Sequence, residues 1–84
     1  MKLVEKSSLE FVEDQSLLND NSRGYRLFEF NPVGTLILKG IKNKKKIDQI
    51  VKDICLKFSV NESIVKKDVQ KFILELKKEK LVKD

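Results

Sequence analysis

Asn31 and Pro32 constrain this chain more than any other pair of residues. Residues 25 to 30 read YRLFEF, a rough alternation of aromatic or aliphatic and charged side chains, as in a half-buried strand. Phe28 and Phe30 share one face; Tyr25, Leu27 and Glu29 share the other. Asparagine caps a helix because its side-chain oxygen accepts from the free amides of the first turn. Proline suits the first helical position, where an N–H is not needed. A strand must therefore stop at Asn31 and a helix begin at Pro32. A strand ending there can leave an edge open, and an open edge is a place where another chain can bind.

Upstream, LEFV (9 to 12) and SLLN (16 to 19) read as two short strands separated by the polar break Glu13, Asp14 and Gln15. Residues 20 to 24, DNSRG, form a turn cluster, because Asn, Asp and Gly tolerate positive φ. With residues 25 to 30 this makes a three-stranded antiparallel meander. Residues 1 to 8 are expected to fray. Downstream, Val33, Leu36, Ile37 and Ile41 keep helical spacing, Gly34 weakens the helix slightly and Gly40 is a natural terminator. Residues 39 to 46 hold five lysines and read as a basic loop. Ile47, Ile50, Val51, Ile54, Cys55 and Phe58 form the stripe of a second helix, which Ser59 and Val60 end. Cys55 on that stripe reads as a small core residue. Asn61 caps a third helix, with Glu62 in its first turn. Its buried stripe is Val65, Val69, Phe72, Ile73 and Leu76, with Ile64 and Asp68 at the margins. Leu81 and Val82 are expected to fold back onto the core.

The order predicts an α+β fold, a three-stranded antiparallel sheet followed by three helices, winged helix-turn-helix-like, in one domain over residues 1–84. The chain's 84 residues allow one modest core. With no histidine and one cysteine, it lacks the usual general base, an internal disulfide and a Cys/His zinc site. The reading is a binding domain rather than an enzyme, with no cofactor. No apolar run approaches a membrane span and the N-terminus lacks a signal peptide's apolar core, so the expectation is a cytoplasmic chain with no membrane partner. Residues 1–31 carry four basic and six acidic side chains, and residues 32–84 fourteen and seven. That basic helical half suits nucleic acid, an anionic surface or an acidic peptide, and equally a generic solvated lysine surface.

Several segments, in order, resemble the PqqD-like family. Phe28-Glu29-Phe30-Asn31 is similar to its strand-to-helix junction. Ile47-Asp48-Gln49-Ile50-Val51 resembles its second-helix opening, Thr-x-x-Glu-Ile. Phe58-Ser59-Val60-Asn61 resembles its Tyr/Phe-x-Val-Asp turn, and residues 67 to 76 its Asp-Val-x-x-Phe-Leu-x-x-Leu helix. Lys80-Leu81-Val82 resembles its Gly-Leu-Val ending. Lys46 stands where the family has a Thr cap and Lys80 where it has Gly; both departures fall at helix ends, away from the binding face.

The resemblance implies a recognition element for ribosomally made, later modified peptides. Such a domain binds the leader segment of a precursor peptide and delivers it to a modifying enzyme, often a radical S-adenosylmethionine protein. It further implies docking of the leader as an added strand on the third strand, beside the third helix. By position, Arg26, Leu27, Phe28 and Glu29 form the docking edge, and Val65, Asp68, Val69 and Phe72 the helical wall. Lys66 and Lys71 attract leader acids, and an apolar leader residue fills a pocket between Leu27 or Phe28 and Phe72. For the wall residues an ordinary core role competes. The rival function is DNA binding by a winged helix; against it, the third helix has neither Arg nor Asn for base readout. Monomer and dimer both fit, since strand edges can pair between copies.

Overall fold

Two polar residues suffice to turn the chain back on itself at Glu13-Asp14, where Glu13 takes φ 58°. This joins β2 (Ser7–Val12) to β3 (Gln15–Asp20), with Val12 opposite Gln15 and Ser7 opposite Asp20. The computed structural model describes residues 2–4, 7–21 and 26–83. Within them, β3 also pairs antiparallel with β4 (Arg26–Phe30), from Ser16 opposite Phe30 to Asp20 opposite Arg26. The sheet order is β2-β3-β4, the expected meander. Alternation settles its faces: Ser16, Leu18 and Asp20 of the central strand are buried, and Leu27 and Glu29 on the opposite side of β4 are exposed. Residues 22–25, most of the expected turn and the start of its third strand, lie outside the described residues. Asp20, expected in that turn, is instead a buried strand residue.

Asn31 caps α1 (Pro32–Lys42) as expected, its Oδ1 accepting from the Gly34 amide at 2.8 Å. Gly40 does not end this helix. It is buried against Ile50, so close that a Cβ would fall 2.4 Å from Ile50 Cγ1, and its missing side chain is what lets α1 approach α2 (Ile47–Phe58). The helix ends two residues later, at Lys42. Lys44 turns to φ 58°, its N–H donates to the Ile41 carbonyl and the Lys45 N–H donates to the Gly40 carbonyl. This is a Schellman closure with lysine in the position that favours glycine. The lysine segment is thus part helix and part hydrogen-bonded turn, not a loop over its whole length.

α2 ends at Ser59, which takes φ 52°. Asn61 then caps α3 (Glu62–Lys78) by accepting from the Ser63 amide at 2.9 Å. α3 closes by a second Schellman motif: the Lys80 N–H donates to Lys77 and the Leu81 N–H to Leu76 at 2.8 Å, with Lys80 at φ 59°. A glycine at residue 80, as in the family pattern, would meet this geometry without strain.

Residues 2–4, expected to fray, are hydrogen-bonded instead. β1 (Lys2–Leu3) pairs antiparallel with β5 (Val82–Lys83), and the Val4 N–H donates to the Leu81 carbonyl at 3.0 Å. Leu81 and Val82 are buried, as expected, and they bring the first residues with them. Leu18, Ile37, Leu38, Ile41, Ile50, Val51, Ile54, Val65, Val69, Ile73 and Leu76 complete one continuous core, against which Cys55 packs from its edge.

Candidate functional site

β4 is an edge strand. It pairs with β3, and among the described residues no strand pairs with its other side. In an antiparallel pair alternate residues turn their N–H and C=O away from the neighbour, so this rim presents main-chain donors and acceptors. α3 runs beside it in the opposite direction, as two contacts show. The Phe30 and Phe72 rings meet edge to face at 5.7 Å, and the Arg26 guanidinium reaches Glu79. The first contact lies at the end of β4 and the second at its start. They are about 13 Å apart along the strand and about 10 Å apart along the helix. The two elements therefore border a groove closed at one end by aromatic rings and at the other by an ion pair.

The groove's floor is a row of half-buried side chains from the inner face of β4. The Arg26 guanidinium lies 5.2 Å from the Phe28 ring centroid, Phe28 stacks on Phe30 at 6.4 Å, and Phe30 meets Phe72. Gly34 makes room for the last of these. A Cβ there would sit 3.1 Å from Phe72 Cε2, so a bare backbone at the start of α1 lets the ring lie across it.

Arg26 does more than line this groove. Its Nε donates to the buried Asp20 carboxylate at 3.1 Å, and its terminal nitrogens reach Asp20, the Glu79 carboxylate at 3.0 Å and the Glu79 carbonyl at 2.9 Å. The Asp20 hydrogen bond, then the nearby negative charge, raises the Arg26 pKa above its ordinary value against an opposing desolvation, so the group stays cationic. Its side chain therefore fixes the spacing of β4 and α3 rather than reaching outward.

Beyond Phe72 toward the start of α3 lies an apolar hollow of about 410 Å³, lined by Val33 of α1, Ile54 and Phe58 of α2, Val60, and Ile64, Val65, Asp68 and Val69 of α3. Val60 and Ile64 are exposed large apolar residues at its rim, and Asp68 is a carboxylate beside them. The structure thus divides the expected site into two neighbouring parts. Arg26, Leu27, Phe28, Glu29 and Phe72 belong to the edge and groove. Val65, Asp68 and Val69 belong to the hollow, with Val65 and Val69 also in the core. Lys66 and Lys71 are exposed on α3. Sequence reading did not bring Val33, Ile54, Phe58 and Val60 to this hollow, nor Gly34 to Phe72. Their assembly depends on three helix ends meeting, which no local pattern reports; a glycine in a helix's first turn, where no turn needs it, was the one signal available.

Among the described residues no group of three His, Cys, Asp or Glu side chains gathers to hold a metal, and no helix is long and apolar enough to cross a membrane. The family model described as Coenzyme PQQ synthesis protein D (PqqD) matches residues 16–82. No curated protein matches the chain. A solved structure, TbiB1 in complex with the TbiA(beta) leader peptide, matches over 100% of both chains with a TM-score of 0.89 and 25% identity.

Proposed function

Because this chain belongs to the PqqD family, we propose that it binds the leader segment of a ribosomally made precursor peptide and holds it for a modifying enzyme. The leader adds an antiparallel strand to the outer rim of β4 and lies along α3. The observation that carries this reading is the unpaired edge of β4 beside α3, floored by Phe28, Phe30 and Phe72. The TbiB1 structure, matched over the whole chain, contains a leader peptide.

Main-chain hydrogen bonds to the rim supply affinity that is indifferent to sequence, so selectivity must come from side chains. Leu27 and Glu29, exposed on the outer face of β4, flank the guest strand. Phe28 and Phe72 meet its inward side chains, and Arg26 holds the groove's end at fixed width. At the other end Val65, Asp68 and Val69 open the hollow to an apolar leader residue. Burying about 100 Å² of such a side chain contributes roughly 2–3 kcal/mol. Asp68 accepts from a leader amide or a basic side chain, and Lys66 and Lys71 attract leader carboxylates. A radical S-adenosylmethionine enzyme is the partner class that the family resemblance suggests, and the setting is the cytoplasm. The domain itself takes no catalytic part.

Amide hydrogen exchange tests strand addition directly. Peptides selected from a random library, with the TbiA(beta) leader as the starting probe, are added to the intact chain. Alternate amides of residues 26–30, those turned away from β3, should gain protection on binding. A peptide that binds tightly while those amides exchange as before refutes docking on β4.

A further inference from the structure

On the reading of this chain as a peptide carrier, we propose that a lysine-lined hollow at the α1–α2 turn is the docking surface for an acidic patch on the enzyme that receives the peptide. The hollow, about 610 Å³, is lined by Lys2, Lys44, Lys45, Lys46, Ile47 and Asp48. Four of its six lining residues are cations and one is an acid.

Its place in the fold separates it from the peptide groove. Gly40 of α1 packs on Ile50 of α2, while Val33 of α1 and Ile54 and Phe58 of α2 line the apolar hollow together. The two helices are therefore antiparallel. The apolar hollow lies at one end of the pair and the lysine hollow at the other, so a bound peptide leaves the lysines accessible.

The backbone that carries the lysines is also held in place. The closure at Lys44 holds the turn with two backbone hydrogen bonds, and Lys45 Nζ donates to Asp53 at 2.8 Å. Lys2 is fixed by the pairing of β1 with β5, and β1 lies against α1. Lys46 stands at the N-cap of α2, whose positive end adds charge of the same sign, offset in part by Asp48 in the first turn. Lys39 and Lys42 extend the basic surface, their ammonium groups 5.0 and 5.5 Å from the Phe11 ring centroid.

The chemistry favours protein carboxylates over nucleic acid. Residues 32–84 contain no arginine, which is the side chain suited to bidentate phosphate and guanine contacts. Phe11, the aromatic ring beside this surface, already has the Lys39 and Lys42 ammonium groups near its ring. Lysine point charges speed encounter and give a contact that salt loosens, as suits a carrier that must dock and depart.

The test uses the intact chain, a fluorescent peptide of about twelve glutamates and a short random DNA duplex of equal charge. The triple variant K44Q/K45Q/K46Q is compared with K52Q/K67Q/K78Q, which loses the same charge elsewhere. Glutamate-peptide affinity should fall about tenfold in the first variant, stay near the parent's in the second, and weaken with salt. Equal loss in both variants, no loss in the first, or tighter binding of the duplex than of the glutamate peptide overturns the proposal. The library-selected groove peptide, titrated in parallel, should bind the first variant as it binds the parent. If no groove peptide binds the parent chain, the peptide-carrier reading fails instead, and the glutamate result is still read on its own.

Discussion

Gly40→Ala should destabilise this protein, although alanine is the better helix former. In an unobstructed helix interior the change gains about 1 kcal/mol. Here the added Cβ would fall 2.4 Å from Ile50 Cγ1 and 2.7 Å from Ile50 Cδ1, against an ordinary carbon–carbon contact of about 3.5–4.0 Å. Relief requires α1 and α2 to part by about 1 Å or Ile50 to leave its rotamer. Ile50 is 1% exposed and β-branched, so it has little freedom to turn within a helix. Overpacking of this kind costs about 1–3 kcal/mol. Set against the propensity gain of about 1 kcal/mol, the net loss is about 0–2 kcal/mol, or up to roughly 16 °C in Tm for a domain of this size. Thermal and urea unfolding followed by circular dichroism measure it. Ile50→Ala removes both clashing carbons at its own cavity cost of about 2–5 kcal/mol. The double mutant should therefore be more stable than the sum of the two single losses predicts, by about 1 kcal/mol or more. A Gly40→Ala protein that melts above the parent, with no coupling to Ile50, would show that the helix contact does not set this glycine.

Four further outcomes follow from particular contacts. Lys80→Gly should raise stability by about 0.5–1 kcal/mol in urea titrations, because Lys80 occupies φ 59° in the closure of α3; an unchanged or lower midpoint would contradict that strain. Phe72→Ala should weaken binding of a library-selected groove peptide about 10–100-fold by anisotropy, roughly 1.4–3 kcal/mol, while Phe72→Leu, which keeps most of the volume, should retain the fold and lose less affinity. Arg26→Met leaves the fully buried Asp20 without its guanidinium partner and should cost on the order of 3 kcal/mol; a melting curve matching the parent's would mean that the clamp contributes nothing. The Asp53 carboxyl is held below its ordinary pKa, first by the Lys45 hydrogen bond and then by Gln49. A depressed carboxylate stabilises fully above its unfolded pKa, and the contribution fades as pH falls through the folded value. Acid titration of stability should therefore fall less steeply in that range for Lys45→Gln than for the parent.

What sequence could report here was local. Asn31, Pro32 and Asn61 announced helix starts because capping is settled within three or four residues. The stripes of α2 and α3 were legible because burial follows the helical period. Gly40 misled because its local meaning, a helix end, was overruled by a neighbour ten residues on. Lysines 44 and 80 concealed two helix closures, since nothing in lysine signals a left-handed backbone. Residues 1 to 8 looked idle because the partner of β1 lies at the other end of the chain. The edge of β4 was foreseeable from strand order, and its neighbour α3 came from the family resemblance. The hollow beside Asp68 was not foreseeable, because it forms where α1, α2 and α3 converge.

The pairing of β1 with β5 has a consequence for biosynthesis. Leu3 emerges from the ribosome early, but Val82, opposite it, is made 79 residues later. At roughly 5–20 residues per second that is a delay of about 4–16 s. Through that interval the leading segment has no strand to pair with, whatever the sheet and first helices have achieved. Pairing of the leading segment thus waits on translation of residues 82 and 83, and a chain stalled after α3 lacks the strand that β1 pairs with.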